Sequence, residues 1–174
     1  MDIKKADYHT IMMFGGIDEL NKKLRMDKKK LSDIIDIKNT HDETLLEIAL
    51  SFRKFELAKH LLLNGAKVNN VSKDGHNEFH FLAANLYFDG AIECAQLLLE
   101  KDTDLSLQEN RFSNTAMFAL CLEALKHPSP SILAFICACL EKNQRIDEKN
   151  IRGNNVRTLI ENRGTPEMKK ILGI

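Results

Sequence analysis

His76 and His80 stand four residues apart, the spacing that puts two imidazoles on one face of a helix as a metal pair. Asp74-Gly75, however, marks a tight turn, and His76 falls in that turn before the helix begins. The cysteines stand at 94, 121, 137 and 139. Three of them lie in strongly apolar helical contexts, where Cys serves as a small buried hydrophobe. Cys137 and Cys139 would point to different sides of a helix, so neither a disulfide nor a zinc framework is expected, and a reduced cytoplasmic setting is. Cys121 and His127 are separated by a proline-rich loop and have no third group to orient the base, which leaves a nucleophilic pair unsupported. Gly15-Gly16 follows a helix rather than a strand and makes no phosphate loop. Glu100, Asp102 and Asp104 lack the glycine and spacing of a calcium loop. Five lysines and Arg25 fall between Lys22 and Lys30, but Asp27 interrupts them and no aromatic is interleaved, as on an ordinary solvated face. These residues imply no enzyme, no cofactor and no metal. The alternative from that class is a small enzyme or metal protein using His76, His80 and the cysteines.

The elements that carry these residues explain why they are scattered. The 174 residues are 44% hydrophobic and 29% charged, the balance of one globular domain with a real core. Twenty-five basic residues match 25 acidic ones, so no global field favours nucleic acid or anionic lipid. Aromatics are only 6% and Trp is absent, which suits helices built from Leu, Ile and Ala. The first residues hold no apolar run long enough for a signal peptide. The longest apolar run, Ile132 to Leu140, is nine residues and too short to span a bilayer.

The stretch from Asn39 to Gln108 says one thing twice, with the copies starting 33 residues apart. Thr44 meets Asn77, Leu46 meets Phe79, Ala49 meets Leu82 and Val68 meets Leu105. Units of this length cannot bury their own apolar face and must stack on neighbours. In the first copy Thr44 caps a helix carrying Leu45, Leu46, Ile48 and Ala49, and a second helix runs from Phe55 to Leu63 and ends at Asn64-Gly65. A third copy starts near Asn110 with Thr115 at the helix start. Its second helix is expected from Ile132 to Leu140, because Pro128 and Pro130 should keep Lys126–Pro130 out of helix. A shortened fourth copy runs from Asn150, and Pro166 opens a last helix. Arg157 there replaces the apolar Leu46, Phe79 and Met117, as suits a unit open on one side. Before the pair, Lys5–Phe14 and Ile17–Arg25 read as a weaker helical pair broken at Gly15-Gly16. Helix starts are 38 and 40 residues apart in the later copies, and the extra length falls in the loops 86–90 and 127–130, a second candidate contact edge.

These residues resemble the ankyrin repeat, in which D-G-x-T-P-L-H-x-A-A leads to a helix ending L-L-x-x-G-A-x-V-N. The best matches are KDGHNEFHFLAA from Lys73 and LLLNGAKVN from Leu61 to Asn69. The helix-start Thr is kept at Thr44 and Thr115 and is Asn at Asn77 and Asn155. The family's Pro is replaced by Leu45, Glu78, Ala116 and Val156, and its His survives only at His80, where it would bond the neighbouring backbone. The whole chain looks like small bacterial ankyrin-repeat proteins with a VRTLIxxRGT-type ending at Val156 to Thr165. The resemblance implies an all-α, ankyrin-repeat solenoid of about five stacked helix-turn-helix repeats in a single domain, 1–174. An N-terminal cap (about 1–38) is followed by repeats at about 39–71, 72–109 and 110–149 and a C-terminal cap (about 150–174).

Ankyrin arrays bind proteins, so the resemblance implies a non-enzymatic protein-protein interaction module, a cytoplasmic monomer without nucleic-acid or membrane partners. Contacts in the family come from turn tips and the exposed side of each first helix. On this chain the tips are Thr40, His41 and Glu43; Lys73, Asp74 and His76; Arg111, Phe112 and Asn114; and Ile151, Arg152 and Asn154. The first-helix ends add Ser51, Phe52, Asn85, Leu122 and Glu123. Phe112 and Ile151 are apolar groups expected to stand exposed at tips, either as interface anchors or tucked against the next tip. A small ankyrin protein acts by occupying its partner. One concrete form is a bacterial immunity or inhibitor protein; the alternative is a viral suppressor of host signalling resembling inhibitors of NF-kappaB.

Overall fold

The computed structural model describes residues 1–143 and 145–174. Ten α-helices and one 3-10 turn make up its regular structure among these residues, with no strand longer than an isolated bridge. In chain order they are α1 (Tyr8–Phe14), α2 (Ile17–Asp27), the 3-10 turn Leu31–Asp33, α3 (Leu45–Ser51), α4 (Phe55–Leu63), α5 (Glu78–Ala83), α6 (Ala91–Glu100), α7 (Ala116–Lys126), α8 (Pro130–Lys142), α9 (Val156–Arg163) and α10 (Pro166–Leu172). Each odd-numbered helix packs on the next odd one, each even on the next even, and each pair on itself, so five helix pairs stack as two layers. One continuous apolar cluster runs between the layers from Ala6 to Met168. No described helix is long and apolar enough to cross a membrane.

Local chemistry starts the helices where the sequence marks them. Asp7, Thr44, Thr115, Ser129, Asn155 and Thr165 each accept a backbone N–H from the first helical turn, removing donors that the helix itself cannot satisfy. Asn77 is spent differently: its Nδ2 donates to the Asp104 carbonyl at 2.7 Å, tying its unit to the chain beyond α6. Leu46, Phe79 and Met117 occupy matching places and have no exposed surface. Burying each contributes roughly 1.5–3 kcal/mol. Arg157 at the corresponding place is half-buried and pairs instead with Asp147, Nε to Oδ1 at 2.8 Å.

Several boundaries differ from the sequence reading, among them the end of α2, at Asp27 rather than Arg25, and the end of α8, at Lys142 rather than Leu140. α1 begins at Tyr8 rather than Lys5, because Asp7 is its cap. α7 runs through Lys126 and α8 begins at Pro130, leaving a short connection, 127–129. Proline is excluded from a helix interior, but at the first position its missing N–H has no partner to lose. Nor is α8 packed all round: Ala134 is exposed and Leu133 half-buried. The loop 86–90 and the short connection 127–129 meet in space. Tyr87 stacks on His127 with ring centroids 4.2 Å apart and on Phe88 at 4.4 Å, while Arg53 lies over Phe88. Leu86 is buried beneath them.

The chain between pairs projects as four tight turns, each closed by a main-chain bond: Asn39 N–H to Glu43 O, Ser72 to His76, Glu109 to Asn114 and Asn150 to Asn154. Main-chain bonds also join each tip to the next. Lys73 N–H donates to His41 O at 2.9 Å, Asn110 N–H to Asp74 O at 3.0 Å, and Ile151 N–H to Phe112 O at 3.0 Å. Gly75 sits at φ +81°, and a Cβ there would come within 2.7 Å of Asn110 Oδ1, so this close approach requires glycine.

Candidate functional site

An open groove runs between the row of tips and the odd-numbered helices over the second half of the molecule. Its largest section, about 650 Å³, is lined by Asp74, His76, His80, Glu109, Arg111, Phe112, Asn114 and Ala119, among others. A second section of about 300 Å³ shares Phe112 and Asn114 and adds Phe118, Leu122, Asn150, Arg152 and Asn154. A third of about 240 Å³ continues past Phe118 and Leu122 to Thr158, Leu159, Asn162 and Arg163.

Each tip is shaped by one polar acceptor at its base. Asn39 Oδ1 accepts the N–H groups of His41 and Glu43, Ser72 Oγ that of His76, and Asn150 Oδ1 those of Arg152 and Asn154. The third tip is one residue longer, with Ser113 at φ +54° to close it, and here the acceptor is a carboxylate. Glu109 takes the N–H groups of Arg111, Phe112 and Asn114 at 2.6–3.0 Å. Burial would raise its pKa, but these backbone donors, with His76 nearby, hold it below the usual carboxylate value.

His80 does bond a neighbouring backbone. Its Nε2 lies 3.3 Å from the Asn114 carbonyl, which can only accept, and its Nδ1 lies 3.2 Å from the Asn77 N–H. Burial pushes its pKa down to about 4, so the ring is a neutral bracket between two units. His76 packs beside it, ring centroids 5.3 Å apart, and edge-on to Phe81. Among the described residues no group of three or more His, Cys, Asp or Glu side chains is disposed to hold a metal ion. Cys94, Cys121 and Cys139 are buried, and burial raises each thiol's pKa, that of Cys94 and Cys139 to about 12. Such thiols are poor nucleophiles at neutral pH.

The groove gathers Asp74, His76, Arg111, Phe112, Asn114, Leu122, Arg152 and Asn154 of the residues named from the sequence. The other named residues lie outside it. Thr40 and His41 are exposed at the first tip, and their carbonyls accept from Lys73 Nζ and Lys73 N–H. Glu43 is half-buried and accepts from Asn39 Nδ2. Asn85 donates to the Leu50 and Ser51 carbonyls, so it is a strut between units rather than a free contact. Phe52 is exposed and meets Phe14 edge-on at 6.0 Å. Glu123 pairs with Lys126 at 2.6 Å. Ile151 stands 65% exposed, as an apolar tip residue should for recognition. Phe112 does not: it is half-buried, with Arg111 Cζ 4.8 Å and Arg152 Cζ 5.9 Å from its ring centroid. Residues overlooked in the sequence are Glu109 and the groove floor at Phe118, Thr158 and Arg163. A regular polar acceptor five residues before each helix cap, six before Thr115, is the signal that marks Glu109. No protein-family model matches this chain, and no curated protein matches it.

Proposed function

We propose that this chain is an ankyrin-type helical repeat protein that acts by binding a partner protein in the groove between its tips and odd-numbered helices. One observation carries the reading: Phe112 stands at the lip of an open groove floored by Phe118 and Leu122, on a tip whose main chain is fixed from both sides. An aromatic side chain held at the edge of an apolar depression is the arrangement of an interface anchor. The two-layer stacking of five helix pairs, the bonded tips and the His80 bracket support the repeat assignment. The groove offers shape and charge, while the buried thiols and the neutral His80 are committed to packing.

Phe112→Ala tests the reading. Binding of a captured partner should weaken by about 1–2 kcal/mol in calorimetry, with thermal melting nearly unchanged. Unweakened binding together with a clear loss of stability would place Phe112 in the packing and count against the groove.

A further inference from the structure

The rim around Phe112 carries positive charge that the fold does not use. Arg111 and Arg152 flank one aromatic ring, and neither makes an ion pair among the described residues. Arg145 and the half-buried Arg157 do find carboxylates, Glu148 and Asp147, whereas Arg25, Arg53 and Arg163 likewise make no ion pair among the described residues; what sets Arg111 and Arg152 apart is that both sit on one ring at the groove. Two like charges held about one ring repel each other, which offsets part of what their cation-π contacts with Phe112 contribute. The groove lining contains two carboxylates, Asp74 and Glu109. Glu109 is turned inward, its oxygens occupied by three backbone N–H groups, so it cannot reach out to either guanidinium without undoing the tip. Farther along, Arg163 adds a third exposed guanidinium without an ion pair, and that section holds no carboxylate. Beneath this rim, Phe118 and Leu122 give the 300 Å³ section an apolar floor.

Resting on the proposed protein-binding role, we propose that the groove takes an acidic segment of a partner protein. A bulky apolar side chain of that segment seats over Phe118 and Leu122, and its Asp or Glu residues pair with Arg111 and Arg152. A guanidinium already laid on a ring face can accept a carboxylate at its edge, so the cation-π contact preorients it for the pairing.

Three fluorescent peptides of equal length test this by anisotropy: Glu residues around a central Phe, Lys residues around the same Phe, and Glu residues around Ala. The Glu-Phe peptide should bind best, and added salt should weaken it. The double variant Arg111→Ala/Arg152→Ala should lose about thirtyfold in affinity, the scale of an interface anchor, without a change in melting. Arg111→Glu/Arg152→Glu should reverse the preference toward the Lys-Phe peptide, a gain that a misfolded variant cannot give. The inference is overturned if no peptide binds, if the Lys-Phe peptide binds the native protein as tightly, or if a single-stranded oligonucleotide of matching charge displaces the Glu-Phe peptide. A partner whose binding survives the double alanine variant but is lost on Phe112→Ala would sink the acidic segment and leave the groove reading standing. Survival of binding in both would sink the two together.

Discussion

Glu47 has no exposed surface, and one of its oxygens, Oε1, has no hydrogen-bond partner. The other accepts from the Thr44 N–H at 2.7 Å, the Thr44 hydroxyl at 3.1 Å and Asn70 Nδ2 at 2.8 Å. A second buried carboxylate, Glu78, accepts from the N–H groups of Asn69 and Asn70. Burial, and then the charge of Glu78, outweigh the bonds to Thr44 and Asn70 and push the Glu47 pKa from 4.5 up to about 7. The folded protein therefore holds this proton more tightly than the unfolded chain does. The stability that Glu47 contributes is fully present below pH 4.5 and is lost as pH rises through the interval to about 7, while His80, whose pKa falls to about 4 on folding, contributes in the opposite sense over nearly the same interval. Glu47→Gln keeps an acceptor at Oε2 and removes the ionisation. Denaturant titrations should find the variant more stable than the parent at neutral and higher pH, on the order of 2 kcal/mol, and should find its stability rising more steeply with pH than the parent's between about 4 and 7, because the His80 contribution is then less opposed. An unchanged slope would mean that another group carries the pH dependence. Glu78, also raised by burial, contributes in the same sense as Glu47.

At the scale of elements, the third tip is the one whose single acceptor is a carboxylate and holds three backbone N–H groups. Glu109→Ala leaves three backbone N–H groups of a half-buried turn without their acceptor. It should cost about 2 kcal/mol, and faster amide exchange should be confined to Arg111, Phe112 and Asn114. Because the Glu109 pKa is lowered on folding, its contribution is full above the usual carboxylate range and fades as pH falls through the folded value. The helices were easy to read because capping residues and apolar spacing are local: Thr44, Thr115 and Asn155 announce α3, α7 and α9 within a few residues. Pro130 misled because the same residue breaks a helix inside it and suits its first position, and only Ser129 as a cap tells the two apart. Phe112 stood out in the sequence as an apolar residue in a turn. Cover from the next tip was one of the two readings the sequence left open, and Arg152, which supplies part of it, comes from a unit 40 residues on. Asn85 looked like a free loop residue for the same reason: the carbonyls it holds belong to another pair.

The whole molecule is a stack in which each helix pair touches only its neighbours. Opening should then start at the ends, and least apolar surface ties down the last pair, where Arg157 replaces a buried core residue. The cysteines sample this order. Cys137 is half-buried, Cys121 and Cys139 are buried on α7 and α8, the pair that packs on the last one, and Cys94 lies one pair farther in on α6, its Sγ donating to the Phe55 carbonyl. Timed iodoacetamide labelling read by mass spectrometry should modify Cys137 first, Cys121 and Cys139 next, and Cys94 last. One common rate for the three buried thiols would instead mean that the stack opens as a single unit. The links between tips add a different property. Beside side-chain bonds from Lys73 Nζ, Asn110 Nδ2 and Asn150 Nδ2, main-chain bonds join His41 to Lys73, Asp74 to Asn110 and Phe112 to Ile151. Outside the glycine at position 75, they place no demand on side-chain identity. The row of tips is therefore a fixed rail with interchangeable fittings: substitutions at Arg111, Arg152 or Ile151 can rewrite what the surface selects while leaving the spacing of its positions as it is.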